Sequence, residues 1–335
     1  MGCRHSSSPS NSPKIITKNG GRITLKNKIS IQQHSQKYNH EKTNGIKLSI
    51  SNKTFSSLNL EQILDNHGKN LIKRFEFNSA CLLFDVSLTH ILLFNNRQLY
   101  LININTMNID TYILLIDTIN IQEIVWSSQL NKFLILTSDQ LYQTGIDQLQ
   151  LTPIHQIQFI NEGHRKSYMA VNGDDLLINR SFGYDLRRYS LVNFNLLQSP
   201  HVYKEKKDLC ITTIQLNSNK ILALAISIGE KQMIDFIHLN TDELIHRIKL
   251  DFNENISYPI DLHCHGLWFA KTCIPYVNIG HCLITSDGQI VRLKLFSNQD
   301  NFIRSLRITD DNRWLLIGRQ HALELYSLSN NMLFS

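Results

Sequence analysis

Short apolar runs that recur about every 45 residues, each entered through a tight polar turn, predict an all-β chain folded as a six-bladed β-propeller. Two further observations support this. The apolar runs are only five to seven residues long and rarely show a 3.6-residue period, which disfavours helical repeats. β-Branched and aromatic residues recur within them, whereas Gly and Pro are scarce.

Residues 1–54 read as a disordered basic tail. Ser, Asn, Pro and Lys dominate residues 1–19, which lack the apolar surface to offset the entropy of ordering. Two short alternating runs, Ile23–Ile31 and Ile46–Ile50, interrupt the polar texture. Residues 55–79 read as a short helical linker. Ser57 is placed to cap a helix over 57–66, Leu60, Ile63 and Leu64 share one face, and Gly68 follows as a stop.

Residues 80–335 carry the repeat. A turn plus an apolar strand reads Ser87–Phe94, Leu130–Thr137, Asn172–Asn179, Asn217–Leu224 and Asp311–Gly318, with a looser copy at Ile279–Thr285. The apolar strands begin near 90, 132, 176, 220, 281 and 313. The interval before 281 is long and the next one short, so one unit is distorted rather than missing. A further strand follows closely in three units: Gln98–Ile104, Gln289–Leu295 and Ala322–Leu328. Ser286-Asp287-Gly288 suits a hairpin turn, because Gly tolerates the positive φ such turns need. The expectation is a second strand covered on both faces, hence continuously apolar, and a half-exposed third strand, hence alternating. A seventh blade closed by Ile46–Ile50 and Phe75–Phe84 fits the same pattern, and a β-sandwich or two domains are the alternatives.

The unit Ser305–Gly318, followed by Ala322–Leu328, resembles the blades of the WD40-like propeller superfamily. No Trp-Asp dipeptide ends a blade, and no Gly-His pair opens the blades in step. The resemblance implies four-stranded blades around a channel and rims that bind other proteins.

Charge is unevenly spread. The chain has 335 residues and a formal net charge of +6. Residues 1–54 hold ten Lys/Arg and one acid, Glu41, giving +9; the other 24 Lys/Arg and 27 acids give −3. An anionic partner is therefore expected for the tail alone. Six cysteines, at 3, 81, 210, 264, 273 and 282, form no C-x-x-C pair, which fits reduced thiols in the cytoplasm. The N-terminus lacks the apolar core of a secretory signal, and no run approaches the roughly 18 apolar residues of a membrane span.

Met1-Gly2-Cys3-Arg4-His5-Ser6 fits the N-myristoylation pattern M-G-x-x-x-[ST], with Gly2 as acceptor. Cys3 would then lie at the bilayer, suited to S-palmitoylation. The start resembles that of dual-acylated signalling proteins such as Src-family kinases and G-protein α subunits. One myristoyl chain binds only marginally, so a second signal is needed. Cys3 supplies one; Lys14, Lys18, Arg22, Lys26 and Lys28 supply another against an anionic leaflet. No aromatic residue interleaves with these charges before Tyr38, so nucleic acid is not the expected partner.

Asp261, His263 and His265 form the one candidate metal set, on a D-x-H-x-H string similar to the metal strands of amidohydrolases. Cys264, Cys273, His281 and Cys282 lie nearby, without the paired spacing of zinc sites. The bland reading is a distorted blade with core cysteines and rim histidines. G-x-S-x-G, P-loop, H-E-x-x-H and Rossmann glycine patterns are absent. Trp126, Trp268 and Trp314 read as core, and Glu162–Lys166 and Tyr203–Lys207 as solvated loops. The expectation is a non-catalytic scaffold without cofactor, binding proteins through its rims and tethered to the cytoplasmic face of a membrane. The alternatives are a metal-dependent hydrolase or a nucleic-acid-associated propeller.

Overall fold

The computed structural model describes residues 71–78, 83–116, 119–159, 166–180, 186–197, 209–229, 231–250, 267–273, 279–285, 290–293, 303–309, 311 and 313–328. All of the elements there are strands. β1 (Leu71–Glu76) comes first. β2 (Leu83–Val86), β3 (His90–Asn95), β4 (Gln98–Asn103) and β5 (Asn108–Leu114) pair in order as an antiparallel sheet. So do β6 (Ile121–Ser127), β7 (Lys132–Thr137), β8 (Gln140–Thr144) and β9 (Thr152–Gln158). A three-stranded sheet follows: β10 (Tyr168–Asn172), β11 (Asp175–Asn179) and β12 (Leu186–Ser190). Next come β13 (Leu209–Leu216), β14 (Ile221–Ile228), β15 (Lys231–His238) and β16 (Glu243–Leu250). β17 (Leu267–Cys273), β18 (Ile279–Thr285) and β19 (Ile290–Leu293) form another sheet of three. β20 (Ser305–Ile308), β21 (Trp314–Gly318) and β22 (Ala322–Ser327) form the last, completed by β1 against β22.

The expected second strands are β3, β7, β11, β14, β18 and β21, each starting within two residues of its expected position. Their continuous apolar sequence has a direct cause: neighbouring sheets bury both faces. Ile91 and Leu93 face the β1/β20–β22 sheet, packing with Phe75, Leu316 and Leu323. Leu92, between them, packs the other way with Ile124, Phe133 and Ile135. Leu134 and Leu136 then meet Met169, Leu176 and Ile178, and Leu177 meets Ile211, Leu222 and Leu224. Each such side chain contributes about 1.5–3 kcal/mol of apolar burial.

The turns repeat too. Asn131, Gly173 and Lys220 take positive φ just before β7, β11 and β14, and Met107 and Asp242 do so just before β5 and β16. The residue opening the inner turn caps it with its side chain. Ser87 Oγ accepts from His90 N, Asn217 Oδ1 from Ile221 N, and Thr309 Oγ1 from Trp314 N. Gly318 marks a close approach of two blades: a Cβ there would meet Ser305 Oγ and, at 2.8 Å, the Phe84 ring.

Four expectations change. The described contacts between inner strands join β20, β2, β6, β10 and β13 in succession, so the blade count they define is five, not six. β17–β19 is an internally paired sheet in which Ile284 is buried. It is the distorted unit of the sequence, bounded by the segments 251–266 and 294–302 that lie outside the described residues. Second, the propeller does not begin at residue 80. Residues 71–76, assigned to a helical linker, are the strand β1, with Phe75 paired to Leu323 and buried. Three charges in six residues, Lys73, Arg74 and Glu76, masked that strand in the sequence. Third, Phe75 serves this closure of the last sheet rather than a seventh blade. Fourth, the third strands β4 and β22 are buried almost throughout, whereas the fourth strand β5 is the exposed one. The tail 1–54, the helix over 57–66 and the turn 286–288 lie outside the described residues.

Candidate interaction surfaces

Charged side chains within the described blades mostly tie strands together. Asp85, on inner strand β2, joins three successive blades: it accepts from Arg307 Nε at 3.1 Å on one side and Trp126 N at 2.6 Å on the other. Gln122 repeats the device one blade on, accepting from Ser167 N at 2.9 Å. Asn179 Nδ2 donates to Ile211 O at 3.1 Å. Asp235 accepts both Nε and a terminal nitrogen of Arg247 within its own blade.

Asp175 holds a similar cross-blade site. It pairs with Arg188 and Lys220, each at 2.7 Å, while Lys220 also reaches Asn172 O and Arg188 reaches Asn240. Burial pushes the Asp175 carboxyl up, but hydrogen bonds and charge from Arg188 and Lys220 outweigh it, holding the group below the ordinary carboxylate range. A lowered folded-state pKa adds stability above the unfolded value of about 4, lost as pH falls through the folded value. Urea titrations should therefore show wild type more stable than Asp175→Asn at pH 7, with the gap closing below about pH 4.

The last sheet carries the most buried network. Glu324 is fully enclosed and binds Arg319 Nε at 2.5 Å, Tyr326 Oη at 2.8 Å and Arg74 at 2.8 Å. Burial, then the Glu324 charge, raise the Tyr326 pKa, so its hydroxyl remains a donor.

Exposed apolar residues gather at two outer edges. On β5 and just past it, Tyr112, Leu114 and Ile116 are 57%, 71% and 68% exposed. They alternate, and Tyr112 extends an aromatic row from Phe77 through Tyr100. On the third sheet, Val192, Leu196 and Leu197 stand out beyond β12, where Leu196 bridges Tyr189 as the start of a fourth strand.

The sequence-derived sites distribute differently. Gly2, Cys3, Lys14, Lys18, Arg22, Lys26 and Lys28 lie outside the described residues, as do Asp261, His263 and His265. Cys273 ends β17, and His281 and Cys282 lie on β18, where His281 pairs Lys271 and Cys282 pairs Ala270. No group of three metal-ligating side chains occurs among the described residues. Cys210 is a free thiol whose pKa burial pushes up. Trp126 packs on Phe133 at 4.7 Å, and Trp314 packs against the core of the first and last sheets. Lys166 lies over the Tyr168 ring rather than free in a loop. Asp85 and Glu324 belong to no sequence motif. The available signal was one carboxylate inside an otherwise apolar strand, which requires a partner when buried.

Antiparallel sheets packed face to face through their inner strands, with the first strand closing the last sheet, define this chain as a β-propeller. No family model matches it, and no curated protein is similar to it in sequence. Solved structures are similar in fold. One is a chain from a crystal structure of the mitotic checkpoint complex, with TM-score 0.52 and 10% identity, covering 86% of this chain and 100% of that one. Another is Kuenenia stuttgartiensis hydrazine synthase, with TM-score 0.51 and 9% identity, covering 72% of this chain and 74% of that one. One title names an assembly and the other an enzyme, and at these identities the likeness concerns the fold.

Proposed function

We propose that this chain is a non-catalytic protein-interaction scaffold, a propeller held at the cytoplasmic face of a membrane by N-terminal lipidation. The observation that carries the scaffold reading is the division of labour among side chains. Asp85, Asp175, Asp235 and Glu324 hold strands and blades together, while large apolar side chains project from the outer edges. A rigid body with exposed apolar edges suits binding rather than chemistry. The propeller resemblance suggests protein partners.

The tether rests on sequence. Myristoylation at Gly2, palmitoylation at Cys3 and the basic run from Lys14 to Lys28 supply the two or more signals that stable anchoring takes. Fluorescent fusions of the full chain test it. The wild type should sit on membranes, and Gly2→Ala and Cys3→Ser should each shift it to the cytosol. Membrane retention of both variants at the wild-type level would sink the lipid reading.

A further inference from the structure

The outer strands of the sheets differ in how they are protected. An edge strand presents unpaired backbone donors and acceptors, and proteins guard such edges with Lys, Arg or Pro. β1 carries Lys73 and Arg74, β9 Pro153, and β16 Arg247 and Lys249. Among the described residues β5 pairs with β4 alone, and it carries none of these. Its one ionisable group besides Tyr112 is Asp110, whose carboxylate meets His90 Nε2 at 3.1 Å. This unguarded edge is also where Tyr112, Leu114 and Ile116 protrude.

We propose that β5 is a self-association edge, on which two copies of this chain pair antiparallel about a two-fold axis and join two four-stranded blades into one eight-stranded sheet. Charge argues for a second copy. A two-fold centred on Ile113 sets Tyr112 opposite Leu114 of the other copy, twice over by symmetry. It keeps the two Asp110 carboxylates roughly 20 Å apart at about 3.4 Å per residue, beyond the ~8 Å screening length of physiological salt. The strand brings no lysine or arginine into the contact. The chemistry of the edge thus complements itself, whereas a strongly charged peptide would find no counter-charge there beyond Asp110. Cross-strand pairs of an aromatic with an aliphatic residue are among the stabilising ones.

Sedimentation velocity on the full, unacylated chain tests this. The wild type should self-associate as a dimer. Tyr112→Lys combined with Leu114→Lys, at exposed positions, should weaken the dimer at least about a hundredfold by placing like charges opposite each other. Circular dichroism melting of the variant checks folding. If it is unfolded, the Tyr112→Cys/Leu114→Cys variant decides, because oxidation should give a covalent dimer in this register. A wild type that stays monomeric, including one that takes up a foreign strand at β5, overturns the proposal. So does a dimer that survives both lysines in a folded variant, or an absence of covalent dimer.

Discussion

Glu324→Gln should cost the chain about 3–5 kcal/mol of stability, because it leaves the buried Arg319 guanidinium without its counter-charge. Glu324 and Arg319 are essentially inaccessible to water, and Glu324 also binds Arg74 and Tyr326. Arg74 lies on β1 and Glu324 on β22, so the bridge spans the whole length of the described chain and helps to close the last sheet. For a domain of this size the loss corresponds to a fall in melting temperature of roughly 10 °C. Urea unfolding measures it. A second variant separates pairing from packing. Replacing Arg319→Met, Glu324→Leu and Tyr326→Phe together removes the buried charges, their desolvation penalty and the hydroxyl that donates to Glu324, and should recover most of the loss. A triple variant as unstable as the single one would show that the network specifies the fold rather than balancing a charge.

The second large effect is expected at Asp85. Asp85→Ala should destabilise by about 3 kcal/mol, since losing a charged hydrogen-bond acceptor from a largely buried position deprives two donors of it. Arg307 Nε and Trp126 N both lose it, and they belong to the blades on either side of β2. The side chains of Asp85 and Arg307 are 13% and 16% exposed, so water replaces the lost contacts poorly. Asp85→Asn, which keeps an acceptor and its shape, should lose less. The loss should appear in the cooperative unfolding transition and not as local fraying, because three inner strands converge on one carboxylate. Equal losses for Ala and Asn would assign the effect to the charge pair with Arg307 alone.

The repeat was legible because its cause is local. A strand covered on both faces must be apolar at every position, so β3, β7, β11, β14 and β21 stand out as runs of Leu and Ile. The turns before them were legible through Asn, Asp, Ser and Gly, which accept positive φ or cap the chain. β1 was not. Its partner is β22, some 250 residues away, and Leu-Ile-Lys-Arg-Phe-Glu becomes a strand only when β22 offers an edge. The burial of the third strands was likewise misread. An alternating, half-exposed strand was expected over Gln98–Ile104, but β5 pairs outside it and Tyr100 is buried, which moves exposure one strand outwards.

The sequence by itself determined the class of fold, the six second strands and the charge asymmetry between tail and body, because these follow from composition and short-range periodicity. Only the tertiary structure decided which strand closes the last sheet and which inner strands pack together. It alone showed that isolated carboxylates such as Asp85 and Glu324 serve as ties between strands, and that β5 is an outer strand on which Tyr112 and Leu114 stand exposed. Those outcomes depend on partners distant in the chain, and a residue's own sequence neighbourhood carries no record of what will lie against it.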